Sequence, residues 1–178
     1  MNLKQISRTQ NATLNIKRGQ NFKYTTMQPI TQQQINRFVA GETIAIAGAS
    51  RNEKSFSAEV AKHLKELNYK LWFVNPNYET DEPENAKVQS IEKLPENVKH
   101  LLVLTPATET EAIVKQAIEK GMDNIWIQQK SETTAAIELA LAHKVNLIHH
   151  QCVFMFTKPT GIHKFRYTIK RVFGSLPK

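Results

Sequence analysis

From Thr43 onward, short apolar runs alternate with longer stretches that carry apolar residues on one helical face. Thr43-Ile-Ala-Ile-Ala47, Leu71-Trp-Phe-Val74, Leu101-Leu-Val-Leu104, Ile125-Trp-Ile127 and Val145 to Ile148 are too short for helices. They are rich in β-branched or aromatic residues, the mark of strands buried on both faces. Between them, Val60, Ala61, Leu64 and Leu67 share one face of a helix predicted over Ser57–Leu67. Thr108 and Glu111 have capping-box spacing at the start of a helix running to Gly121, and residues 132–143 form another. A short helix precedes the first strand, from Thr31 as its cap to Ala40, with Ile35, Phe38 and Val39 inward and Gly41 closing it. An extended piece around Val88 is minor.

Such alternation requires parallel strands joined by right-handed crossovers, with helices on both faces. The fold class expected is therefore α/β: a Rossmann-like three-layer arrangement around a central, mostly parallel five-stranded sheet. A basic amphipathic helix is expected to follow it, because Ile162, Phe165, Ile169, Val172 and Phe173 keep helical spacing among Lys164, Arg166, Lys170 and Arg171. Residues 1–26 show no apolar periodicity and are expected to be disordered, so Met27 is a candidate start of translation. Three segments result: a polar, basic extension over 1–26, the folded domain over 27–157, and a basic helical tail over 158–178.

Charge changes this picture only once it is located. The chain has 178 residues and a net charge of +8, which suggests nucleic acid. Residues 1–41 hold six basic residues and no acid, and residues 158–178 hold six more and no acid. That leaves 12 basic and 16 acidic residues between 42 and 157, so the folded part is mildly acidic. A dedicated nucleic-acid fold carries its charge on the domain itself, and no such site is expected. The basic tail is expected to dock on its own domain or on a second subunit, giving a homodimer; an acidic protein partner or an anionic membrane surface are the alternatives. No apolar run approaches the roughly 20 residues that span a membrane. With Cys152 the sole cysteine, no internal disulfide is possible, which suits the cytoplasm.

Ligands of open parallel sheets bind beyond the carboxyl ends of the strands, where the strand order reverses. The first strand ends in Gly48-Ala49-Ser50-Arg51-Asn52-Glu53-Lys54. Small residues let a phosphate approach the backbone, the next helix offers unpaired N–H groups, and Arg51 and Lys54 add charge. Val74 leads into Asn75-Pro76 at the second strand end, and Thr105-Pro106 closes the third. A nicotinamide dinucleotide site wants three spaced glycines in the first turn and an acid after the second strand. Here there is one glycine in the turn and Asn75 where the acid belongs, so that cofactor is disfavoured.

The run Ile44-Ala-Ile-Ala-Gly-Ala-Ser-Arg-Asn, the Val74-Asn75-Pro76 and Leu104-Thr105-Pro106 breaks and the Trp126-containing fourth strand resemble the small stand-alone CoA-binding proteins. Their Rossmann domain is related to the amino-terminal domain of the succinyl-CoA synthetase α chain. The resemblance covers residues 31–157 and implies coenzyme A or an acyl-CoA as ligand. By position it makes Gly48, Ala49, Ser50, Arg51, Lys54, Asn75, Pro76, Thr105 and Pro106 the contacts, with Val74 as an apolar wall. Two departures stand out: Ser57 replaces a glycine common in relatives, and Gln128-Gln129 replaces a glycine after the fourth strand. The ligase-type domain with the phosphorylated histidine is missing, which removes the reason to expect acyl-CoA synthesis.

His149-His150-Gln151-Cys152 invites a metal or catalytic reading. Adjacent histidines in an extended segment point to opposite sides, and no second Cys/His cluster completes a zinc site. On the resemblance, Cys152 lies near the CoA thiol. The acidic loop with Glu79, Asp81, Glu82 and Glu84 is expected to be a solvated surface. Non-catalytic binding, as a sensor, carrier or regulatory module, leads. An enzyme of acyl-CoA or nucleotide metabolism using the same groove, and a protein-interaction subunit with a vestigial groove, stay open.

Overall fold

The computed structural model describes residues 29–157. The amino-terminal extension, Met27 as a start and the basic carboxyl-terminal helix all lie outside the described residues. The elements run α1 (Gln32–Val39), β1 (Thr43–Ala47), α2 (Phe56–Glu66), β2 (Lys70–Val74), β3 (Lys87–Val88), β4 (His100–Val103), α3 (Ala107–Glu119), β5 (Asn124–Gln128), α4 (Thr134–Ala142) and β6 (Asn146–Gln151). All neighbours pair in parallel, in the order β3-β2-β1-β4-β5-β6. The order reverses between β1 and β4, the switch point at which such sheets receive ligands. The expected five strands become six. The addition is the extended piece at Val88, two residues paired to the edge of β2 through Phe73 and Val74.

Period-two alternation divides the core between the faces. Ile44 and Ile46 of β1, Leu102 of β4, Trp126 of β5 and Ile148 of β6 pack against α1 and α2. Ala45, Ala47, Leu101, Val103, Ile125, Ile127 and Leu147 pack against α3 and α4. Both alternating sets are apolar, which is why the strands read as continuous apolar runs. Trp126 is fully buried, packs edge-to-face on Phe38 at 5.3 Å between centroids, and donates its indole N–H to the Gln151 carbonyl at 3.1 Å.

The α1 entrance forms as expected. The Thr31 hydroxyl accepts from Gln34 N–H while the Gln34 side chain accepts from Thr31 N–H. The capping box expected at Thr108 does not form. Pro106 occupies the cap position with φ −52 and the helix begins at Ala107, so Thr108 already lies inside the first turn. Thr110 instead turns its hydroxyl back to the Pro106 carbonyl at 3.3 Å. Among the described residues, no helix is long and apolar enough to cross a membrane.

Candidate functional site

Register brings three strand ends together. Ala47 pairs with Val74 on one side and Val103 on the other, so the turns starting at Gly48, Asn75 and Leu104 leave the sheet side by side. Gly48 has φ +85, and its N–H reaches the Val74 carbonyl at 3.2 Å. A Cβ there would stand 2.8 Å from both the Leu104 carbonyl carbon and the Thr105 nitrogen. The glycine is thus required twice, by its conformation and by the approach of the β4 backbone.

The loop from β1 to α2 is closed by its own side chains. Ser57 Oγ accepts from Ser50 N–H at 2.9 Å, Ser50 Oγ from Asn52 N–H at 3.0 Å, and Asn52 Oδ1 from Lys54 N–H at 2.9 Å. Ser55 caps α2 by accepting from Ala58 N–H at 3.2 Å. Ser57 therefore engages one of the amides that would otherwise face an anion. Asn75 is a brace: its Nδ2 donates to the Ala49 carbonyl at 2.6 Å and its Oδ1 accepts from Asn77 N–H at 2.8 Å. Thr105 is buried with its hydroxyl 3.2 Å from that of Thr110.

Beside this loop lies a cleft of about 1000 Å³. One wall is Ala49, Ser50 and Arg51; another is the flank of α2, from Ser57 and Ala61 to Lys62 and Lys65. Phe73 of β2, Tyr78 in the following loop and Lys87 of β3 line it as well, and Glu53, Glu66, Glu79 and Glu82 set four carboxylates among the cations. Of the residues expected from sequence, only Ala49, Ser50 and Arg51 line it. Gly48, Val74, Asn75 and Thr105 shape the strand ends from behind, while Lys54, Pro76 and Pro106 are exposed outside its lining.

Lys62, Lys65, Phe73, Tyr78 and Lys87 are the additions. The Lys65 ammonium sits 5.3 Å from the centre of the Phe73 ring, and that of Lys87 sits 5.9 Å from the centre of Tyr78. Lys87 also pairs with Glu82 at 3.1 Å, which holds the Glu82 carboxyl below its usual range. Burial raises the Tyr78 hydroxyl pKa against the opposing influence of Lys87. In the acidic loop, Asp81 is paired with Lys93 and Glu82 with Lys87, so that loop is stapled to the fold rather than merely solvated.

The edge strand β6, at the other end of the sheet from β3, holds a second polar group. His149 and His150 do not point to opposite sides: φ of +56 at His150 turns its ring back, and the two Nδ1 atoms lie 2.6 Å apart. His150 Nε2 is 3.5 Å from Glu132 Oε1. Cys152 is half-buried in the segment that follows. There Phe154 packs on His63 of α2, and His63 Nε2 lies 2.6 Å from the Thr157 carbonyl oxygen. Among the described residues, no group of three or more His, Cys, Asp or Glu is placed to hold a metal ion.

Residues 42–158 match the sequence model of the CoA binding domain family, and the chain belongs to that family. Similar solved structures include a conserved hypothetical protein from Pyrococcus furiosus, 24% identical, covering 67% of this chain and 100% of its own, with a TM-score of 0.59. A hypothetical protein from Pyrococcus horikoshii, also 24% identical, covers 74% of this chain and 94% of its own with a TM-score of 0.66. A Thermus thermophilus protein, 20% identical, covers 71% and 96% with a TM-score of 0.64. These likenesses carry the fold. A comparison with curated proteins returns no match.

Proposed function

We propose that this member of the CoA binding domain family holds coenzyme A or an acyl-CoA along the cleft beside α2, as a non-catalytic sensor, carrier or regulatory module of the cytoplasm. The observation that carries the reading is the junction of the β1 and β2 ends with a cleft of about 1000 Å³ that has a small-residue wall, aromatic rings, and Arg51, Lys62 and Lys65 among its rim of mixed charge. Its volume is at the upper end of the roughly 300–1000 Å³ of pockets for ligands of moderate size.

In this reading the pyrophosphate lies against Ser50 and Arg51. The loop amides at Ser50, Asn52 and Lys54 already have acceptors, so fixed side-chain charge carries more of the anion recognition than backbone N–H groups do. The adenosine end follows α2 toward Tyr78 and Phe73, with Lys62 and Lys65 for the 3′-phosphate, since an ammonium can meet phosphate as a point charge. Lys54, Asn75, Pro76, Thr105 and Pro106 belong to the rim or its support. The binding unit is residues 27–157, with the basic ends as attachments to it.

Calorimetric titration of the full chain with CoA, dephospho-CoA and NAD tests this. The expected order of affinity is CoA, then dephospho-CoA, then NAD. Absence of heat with all three at several temperatures, from folded and ligand-free protein, would remove CoA as the ligand.

A further inference from the structure

At the carboxyl ends of β5 and β6, away from the cleft, three unusual features meet. Glu132 Oε2 is the one buried side-chain nitrogen or oxygen without a hydrogen-bond partner among the described residues, and the Glu132 side chain is only 12% exposed. Lys130 and His150 both adopt left-handed backbone conformations, φ +80 and +56, without being glycine. The β5–β6 register shifts between Trp126 and Gln128. Strained backbone and bulges concentrate where side chains are aimed for a task. Here they aim His150 at both His149 and Glu132.

We propose that Glu132, His150 and His149 form a carboxylate–imidazole–imidazole relay that takes up and releases a single proton, an acid–base site independent of the cleft. The argument begins with the 2.6 Å between the Nδ1 atoms, which accommodates one proton and not two. One ring must donate and the other accept. Glu132 decides which: a carboxylate 3.5 Å from His150 Nε2 favours a proton on that nitrogen. His150 Nδ1 is then the acceptor, His149 carries its proton on Nδ1, and His149 Nε2 is left with a lone pair.

Proton uptake follows from that arrangement. A proton enters at His149 Nε2, and the shared proton crosses from His149 Nδ1 to His150 Nδ1. Both nitrogens of His150 are now protonated beside Glu132, while His149 is neutral again as the other tautomer. One proton has entered, one has moved, and the charge rests on the half-exposed ring next to the carboxylate. Burial lowers the pKa of His149, with His150 lowering it further and Glu132 opposing, so His149 passes the charge on rather than keeping it. These two are the ionisable groups acting on it among the described residues.

Imidazole nitrogen NMR on the full chain, titrated from about pH 8 to about pH 5, tests the relay. At the upper end His149 should appear as the Nδ1–H tautomer and His150 as the Nε2–H tautomer. Acidification should add one proton to the pair, charge His150, and switch His149 to Nε2–H. Glu132→Leu, which removes both the charge and the acceptor, should erase the tautomer preference. Uptake of a separate proton by each ring in the wild-type protein would overturn the relay, and so would tautomers that ignore Glu132→Leu. Should that variant not fold, the wild-type proton count and His150→Asn, which should leave His149 titrating alone, decide the matter.

Discussion

Gly48→Ala should separate two costs that glycines usually combine. At φ +85 the residue is left-handed, and adding a Cβ there costs about 1 kcal/mol. The new methyl also stands 2.8 Å from the Leu104 carbonyl carbon and the Thr105 nitrogen. Both are backbone atoms of a chain paired to β1 through Ala47 and Val103, so no side chain can swing aside. Relief requires β1 and β4 to move apart at the switch point, an overpacking cost of about 1–3 kcal/mol. The total expected is about 2–4 kcal/mol. Gly121 provides the control: φ is +72, yet the nearest atom to a methyl added there is Lys99 Nζ at 3.7 Å. Gly121→Ala should therefore cost the conformational part alone, about 1 kcal/mol. Urea unfolding of both variants, followed by circular dichroism, gives the difference directly. Equal losses for the two substitutions would refute the claim that the β4 backbone crowds the first turn.

Asn75→Ala removes the donor to the Ala49 carbonyl and the acceptor for Asn77 N–H; a stability loss of about 1–2 kcal/mol in urea unfolding is expected, with faster amide exchange at Asn77. Lys62→Ala with Lys65→Ala should weaken CoA binding about tenfold or more and dephospho-CoA less, whereas Lys54→Ala should change both little; titration calorimetry checks the pattern, and equal losses for the two ligands would move the 3′-phosphate elsewhere. Stability should also fall on acidification through the histidines. Burial lowers the pKa of His100 and of His149 from the ordinary 6.5. The unfolded chain then binds more protons than the folded one, so their contribution is complete above pH 6.5 and is lost as pH falls below it. Urea midpoints measured at neutral and mildly acidic pH should show this slope, flattened in His100→Gln.

The sheet was legible because its strands are buried on both faces. Ile44 and Ala45, or Leu101 and Leu102, point to opposite layers that are equally apolar, and a run of that kind has few other solutions. The edge strand β3 was nearly illegible: two residues with one buried side chain, Val88, carry almost no periodicity. The capping box at Thr108 misled because spacing does not say where a helix begins, and Pro106 set that point two residues earlier. The two histidines misled for a related reason. Alternation holds for extended backbone, and nothing in the residue type announces that His150 leaves it for φ +56.

The strand ends were found from sequence, but the residues facing the cleft mostly were not. A small residue at a strand end does either of two jobs, letting a ligand approach or letting the chain approach itself. Gly48 does the second for β4, and Asn75 spends both ends of its amide on neighbouring backbone. Residues that look like contacts in the sequence are therefore in part the scaffold that holds contacts in place. The side chains that do face the cleft look ordinary in one dimension. Lys62 and Lys65 share the polar flank of a helix, and Phe73 sits in an apolar strand like any core residue. What distinguishes them is the connection from β2 to β3, which supplies a loop and a single turn of 3₁₀ helix where a covering helix would otherwise pack. The sheet beside α2 is left open there, Lys65 lies over Phe73 instead of a helix, and a cleft exists because an element is short.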